Sequence, residues 1–288
     1  MEIETGLLLA FGAMVCWGIG DFLIQRSVRK VGDVEALAFI GIVGAIGLLP
    51  FVAGELPALF LPENLLLMLF LGIVTFIAAL LNFEALKKGK LSVVEVVIEI
   101  ELPVTAFLGI YFLKEVISLP QLIGIGVVFI GITMLAMKSL SLKSLGKVEK
   151  GVLLAVAAAI GMGMTNFLTG FGAKTVSPLL AIWAPWVFFT IFCLFYLWKN
   201  KGLGKLVTNA GRYKGLVLAM GIFDTLAWLL YALALKEQSI AITTAITESY
   251  PAIGMALGLW FNKEKIKRHQ IAGALLALAA SIALATTL

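Results

Sequence analysis

The chain has 288 residues, 61% of them hydrophobic and only 14% charged, with a mean hydropathy of +1.06. A soluble domain carries about a quarter of its residues as charge, so a water-covered globule is excluded and much of the surface must meet lipid. The net charge of +5 invites a nucleic-acid partner, but the basic residues sit in short connections rather than on one face, and that partner is excluded too.

A bilayer core takes about 20 apolar residues per helix. In chain order the apolar runs predict ten spans, at roughly 6–25, 34–54, 63–86, 91–113, 119–137, 150–173, 178–198, 212–235, 239–261 and 269–288. The chain starts MEIETGLLLA, with Glu2 and Glu4 where a secretory leader would be basic, so 6–25 reads as a retained first helix. The runs are continuously apolar, unlike the alternating strands of a membrane barrel. Cys16 and Cys193 fall inside spans as small packing residues. His269, beside Lys267 and Arg268, reads as interfacial.

The fourth span holds the stretch VVEVVIEIELP, with Glu95, Glu99 and Glu101 ahead of Pro103. Glu95 and Glu99 are about 40° apart on a helix and share a face, whereas Glu101 lies about 160° from Glu99. The ninth span holds TTAITESYP, with Glu248 ahead of Pro251. Proline lacks an N–H and frees the carbonyl four residues back, here those of Glu99 and Thr247, so each half carries a weakened helix with an acid at the weak point. Irregular backbone at that depth is tolerated where it lines a cavity.

Basic residues of short connections orient a membrane protein. The connections after spans 1, 3, 5, 7 and 9 hold all the Lys and Arg except Lys114, Lys174 and Lys236. That side is expected to be cytoplasmic, with both termini outside.

The chain also repeats itself. GLLLAFGAMVCWGIGDFLIQ (6–25) aligns with GVLLAVAAAIGMGMTNFLTG (151–170), placing Asp21 on Asn166 and Gly18 on Gly163. LGIYFLKEVISLPQLIG (108–124) aligns with LGLWFNKEKIKRHQIAG (257–273), and at that offset Glu99 falls on Glu248 and Thr75 on Asp224. The chain therefore divides into 1–137, a basic linker at 138–149, and 150–288. Five helices per half is odd, so the second half must enter the membrane from the opposite side. Such inverted repeats are common in secondary transporters, with the substrate site near mid-membrane at the repeat interface. The expected fold is an all-α integral membrane protein, ten helices in two inverted five-helix repeats around a central cavity.

With WGIGDF (17–22), the duplication, and the helices closed by YFLKE (111–115) and WFNKE (260–264), nearly the whole chain resembles a ten-helix, EamA-type member of the drug/metabolite transporter superfamily. The resemblance implies a carrier for amino acids, metabolites, sugar derivatives or drugs, in most members an exporter, with a cavity between the halves. Such members are usually described with both termini in the cytoplasm, opposite to the orientation the basic residues indicate here.

At 1.5 Å rise per residue, Glu99 lies roughly 12 Å and Glu248 roughly 13 Å from their respective entry sides, both near the midplane, and Asp224 is also central. Glu99, Glu248 and Asp224 are the expected substrate or proton sites, with Glu95, Glu101, Tyr250, Thr247, Tyr231 and Trp228 around them. Thr243, Thr244, Trp183 and Trp186 are further candidates for the lining. Asp21, Asn166 and Trp17 are expected at the two ends of the cavity, although an interhelical hydrogen bond would also account for Asp21 and Asn166. Pro103 and Pro251 mark the helix breaks. Glu115 and Glu264 read as interfacial partners of Lys114 and Lys263.

Away from their ends the spans carry acids and no Lys or Arg. An acid in an apolar span takes up either a proton or a cation, which suits H+ or Na+ as coupling ion and a small neutral, zwitterionic or cationic solute. It argues against phosphorylated substrates, which want Arg or Lys. No HExxH, regular acidic metal cluster or nucleophile–histidine pair supports an enzyme, and no cofactor or metal is expected. A channel or scaffold is the alternative. The expected partners are the bilayer and a small molecule, and monomer and homodimer both stay open.

Overall fold

The computed structural model describes residues 2–88, 97–98, 100–136, 152–262 and 267–286, and these form helices and turns without a strand. Glu95, Glu99, Lys263, Glu264 and the 138–149 linker lie outside the described residues. In chain order the helices are α1 (Glu2–Val31), α2 (Asp33–Val52), α3 (Leu56–Leu59), α4 (Pro62–Lys88), α5 (Glu101–Leu113), α6 (Leu119–Ala136), α7 (Val152–Thr175), α8 (Pro178–Lys199), α9 (Leu203–Arg212), α10 (Lys214–Glu237), α11 (Ile240–Thr247), α12 (Pro251–Asn262) and α13 (Arg268–Ala285). Among the described residues six helices are long and apolar enough to cross a bilayer, and three shorter ones are similarly apolar.

α1 continues past the apolar run, through Arg26, Arg29 and Lys30, to Val31. It turns into α2 at Gly32, whose φ of 93° is one that L side chains rarely adopt. Asp33 and Glu35 then occupy the first turn of α2, where negative charge meets the positive end of the helix. α8 starts on Ser177-Pro178: Ser177 Oγ accepts from the N–H groups of Leu179 and Leu180 at 3.1 and 3.4 Å and donates to Glu55. Proline at N1 costs nothing there, since that N–H has no helical acceptor.

The most extensive helix contacts join the first half of the chain to the second: α1 with α10, α4 with α7, α6 with α13 and α2 with α8. All four pairs run antiparallel. Along α1, Gly6, Gly12 and Gly20 face Gln238, Leu230 and Asp224 in turn. Along α7, Gly161 and Gly172 face Ala78 and Met68 of α4. The helices come close because small residues leave room for them. A Cβ added at Gly131 of α6 would sit 2.7 Å from the Ala277 backbone nitrogen of α13. In lipid, such close packing replaces the hydrophobic drive between helices.

Two interruptions shape the middle of the bundle. Ile100, a turn residue just ahead of α5, donates its N–H to Val97 O at 3.2 Å, and Pro103 falls in the first turn of α5. In the second half α11 stops at Thr247 and Pro251 opens α12. The Thr247 carbonyl that Pro251 cannot serve accepts instead from Tyr250 N–H at 3.0 Å.

The free N-terminus of the short α11 is satisfied from the other half. Lys114 takes a left-handed conformation (φ 55°) at the end of α5, and the next residue, Glu115, accepts from Ser239 Oγ at 2.8 Å and from the N–H groups of Ile240 and Ala241 at 2.6 and 3.1 Å. Glu115 is thus a helix cap rather than an interfacial partner of Lys114. Lys174 Nζ donates to the Gln238 carbonyl beside it, at 2.7 Å. At the basic end of the bundle, buried Glu35 accepts from Asn209 Nδ2 at 2.6 Å and pairs with Lys205 at 3.2 Å, docking α9 onto α2.

Hydrogen bonds to a charged acceptor contribute about 1.5–3 kcal/mol each when the donors are otherwise buried. Glu115→Ala is expected to destabilise the protein by about 2 kcal/mol or more, read as a lowered unfolding midpoint in detergent, and Glu115→Gln by less.

Candidate functional site

A cavity of about 190 Å³ lies in the middle of the bundle. It is lined by Trp17, Asp21 and Ile24 of α1, Ala36, Leu37 and Ile40 of α2, and Thr75, Ala79 and Asn82 of α4. Ile98 and Glu101 come from the first helix break, Met162 and Asn166 from α7, and Trp186 and Phe189 from α8. Asp224 and Trp228 of α10, with Glu248 and Tyr250 of the second break, complete it. These positions fall in the second half of α1 and α4 and the first turns of α2, so the cavity runs from mid-bundle toward the basic end. The far end carries the ties at Glu55–Ser177, Glu115–α11 and Lys174–Gln238.

The two breaks are held against the cavity by matched glycines. A Cβ on Gly18 would lie 3.1 Å from the Tyr250 carbonyl and would overlap Ile253. A Cβ on Gly163 would lie 2.9 Å from the Glu101 carbonyl and would overlap Val104. Gly18 and Gly163 correspond in the two halves, as do Glu101 with Tyr250 and Val104 with Ile253. One seat is therefore built twice. Thr105 Oγ1 secures the first by donating to Glu101 O at 2.9 Å and Gly163 O at 3.3 Å.

Four acids face the cavity. Glu101, Asp224 and Glu248 are buried, and Asp21 is exposed within it. Glu101 and Glu248, one from each break, both line the cavity, and Glu248 lies within interaction reach of the Glu101 carboxyl. Glu101 Oε2 is buried without a partner. Asp21 lies in electrostatic reach of both Asp224 and Glu101. Among the described residues, none that lines the cavity is Lys, Arg or His.

Below the acids is an aromatic wall. Trp17 packs edge-on against Trp228 with ring centroids 5.0 Å apart, and touches Tyr231 at 5.1 Å and Tyr250 at 6.1 Å. Trp186 meets Trp228 at 5.6 Å. Tyr231 stands behind the lining, fully buried, its hydroxyl 2.5 Å from Thr244 Oγ1. Thr247 is also behind it and bonds Thr244 O at 3.0 Å. Pro103 and Pro251 shape the breaks and do not line the cavity.

Of the residues singled out from sequence, Glu101, Glu248, Asp224, Tyr250, Trp228, Asp21, Asn166 and Trp17 meet in one cavity. Asp21 and Asp224 differ from the expectation of separate depths. Asp21 is ten positions before Val31 and Asp224 ten positions after Lys214, at matching ends of two antiparallel helices. The apolar run stops at residue 25 but the helix does not, which makes Asp21 look closer to the surface than it is. Glu101 and Glu248 line the same cavity although the sequence register pairs Glu101 with Tyr250. Asn82 was not anticipated; its signal is a lone amide seven residues, two helical turns, after Thr75.

A family model described as "EamA-like transporter family" matches residues 4–137 and again 149–286. An uncharacterised protein of Methanocaldococcus jannaschii, MJ1333.1, is 30% identical over 133 residues, which is 46% of this chain and 96% of the relative. A protein crystal structure superposes with a TM-score of 0.74 at 15% identity, covering 98% of this chain and 97% of that one. That likeness shows a shared fold. The half-length relative matches what a single repeat would be.

Adding a methyl at either glycine seat should push the break and its carboxyl out of place, at about 1–3 kcal/mol for overpacking. Gly163→Ala is expected to lower the unfolding midpoint, whereas Gly126→Ala, where a Cβ meets nothing within 4 Å, leaves it unchanged or raises it.

Proposed function

Because the chain belongs to the EamA-like transporter family and is a multi-pass membrane protein, we propose that it is a secondary carrier of small neutral, zwitterionic or cationic organic solutes, working by alternating access, coupled to protons and operating as an exporter. The observation that carries this reading is the pair of buried carboxyls, Glu101 and Glu248, at the meeting of two helix breaks inside a cavity whose described lining holds no basic side chain. A pair of this kind has two states of different charge, and a carrier needs a group that exchanges one bound species for another.

The antiparallel pairing of the counterparts α2 with α8 and α6 with α13, and the exchanged pairs α1 with α10 and α4 with α7, support an inverted ten-helix arrangement with repeats at 1–137 and 150–288. In this reading the halves rock about the breaks. The cavity then faces the basic, cytoplasmic end, while the Glu55–Ser177 and Glu115–α11 ties hold the opposite end shut and part when it opens. Glu99 and Glu95 keep their place in the proposal as acids near the first break, with Na+ as the competing coupling ion.

In proteoliposomes, saturable flux stimulated by solute on the far side fits a carrier, and non-saturating conductance would instead mark a channel. Glu101→Gln and Glu248→Gln are each expected to abolish the pH dependence of transport while the protein still inserts; normal transport by both across a pH range overturns the coupling role. Labelling of a cysteine at position 2 from outside intact cells is the expected result for the orientation, and protection from it reverses the orientation.

A further inference from the structure

We propose that the cavity is a seat for an organic ammonium ion with an apolar body, its charge between Asp21 and Asp224 and its body on Trp17, Trp228 and Trp186. This inference rests on the carrier reading and narrows its substrate class.

The seat comes from two helices that each carry the same pair of side chains. On α1, Trp17 and Asp21 are four residues apart and lie on one face; on α10, Asp224 and Trp228 are four apart in the reverse order. The helices are antiparallel, so the reversed order brings like to like. Trp17 and Trp228 touch at 5.0 Å. One turn nearer the basic end, the backbones almost meet: a Cβ on Gly20 would be 3.6 Å from the Asp224 nitrogen. That close approach puts the two carboxyls at one level above two joined indole rings, with Trp186 beside them.

Two carboxyls held at one level, lined by no basic residue, repel each other unless something positive lies between them. Among the described residues, no three His, Cys, Asp or Glu side chains are placed together to hold a metal ion. The wall beneath is aromatic, and indole faces attract cations, alkylated ammonium groups above all. An independent observation points the same way: Glu101, a lining residue only 6% exposed, has its Oε2 buried with no hydrogen-bond partner.

The corresponding positions of the other halves sharpen the assignment. Asn166 stands where Asp21 does and Thr75 where Asp224 does, on the antiparallel pair α7 and α4, and both line the same cavity. The architecture is doubled and the charge is not. The ammonium has one place to go, and the Asn166–Thr75 side is left for uncharged hydrogen-bonding groups of the same solute.

The test uses the full-length protein in lipid nanodiscs, with benzyltrimethylammonium and its uncharged isostere neopentylbenzene as probes and tryptophan fluorescence as readout. Saturable quenching by the cation, at least tenfold weaker binding of the isostere, and an increase in Kd of tenfold or more in both Asp21→Asn and Asp224→Asn bear the proposal out. Asp21→Glu and Asp224→Glu should restore most of the affinity, which separates loss of charge from loss of fold. Equal binding of the two probes, no saturable binding of the cation, or affinity unchanged in both Asn variants overturns it. Saturable counter-flow of an uncharged solute by a protein that does not bind the cation would sink the ammonium seat and leave the carrier standing. Cation binding without any solute flux would do the reverse.

Discussion

The constraint on which the structure depends is that a helix cannot be broken inside an apolar medium unless its loose polar groups are met. An unsatisfied backbone group in lipid costs several kcal/mol, and this chain interrupts itself twice at mid-bundle. At the second break several of these groups have partners among the described residues. Glu115 reaches across from the first half to cap α11. Tyr250 N–H serves the Thr247 carbonyl that proline abandons. Gly18 and Gly163 remove their side chains so that the two breaks can be seated against a neighbouring helix. The breaks in turn bring Glu101 and Glu248 together, and without them the middle of the bundle would be closed.

The same contacts explain why the halves depend on each other. The longest helix interfaces are between halves, and the cap of α11 comes from the half that does not contain it. A relative motion of the halves therefore works against side-chain bonds at the ends rather than against a separate core. At one end these are Glu55–Ser177 and Glu115–α11; at the other, Glu35 holds Asn209 and Lys205 of α9. An exposed lysine contributes little to such a tie, so at the basic end the Asn209 bond to the buried Glu35 is the stronger part.

Much of this was legible in the sequence. Continuous apolar runs, the duplicated LGxxFxKE segments and the basic connections sufficed for an all-helical membrane protein in two related halves, and acids in apolar spans marked most of the cavity. What sequence could not supply was lateral position. Asp21 looked displaced from Asp224 because the apolar run of α1 ends before the helix does. Glu101 looked turned away from the central acids because its place was read only from its angle to Glu99. Glu115 looked like the partner of the adjacent Lys114, since nothing local reveals that α11 starts beside it. In each case the missing information was a contact between distant segments, and only the repeat itself, through Gly18 and Gly163, carried a trace of it.

The unequal furnishing of the two halves has a consequence for how such a protein can come about. If the cavity were assembled from two identical half-length chains, symmetry would require every acid to occur twice, and Asp21 and Asp224 would face a second such pair across the axis. Four like charges around one small space would leave a guest with two equivalent stations and no fixed heading. Joining the halves in one chain removes that obligation. Here Asn166 and Thr75 hold the positions that symmetry would have given to the second pair, so these two sides of the cavity differ in charge, and under the proposed ammonium seat a guest with a charged end and a neutral end would be held in one orientation.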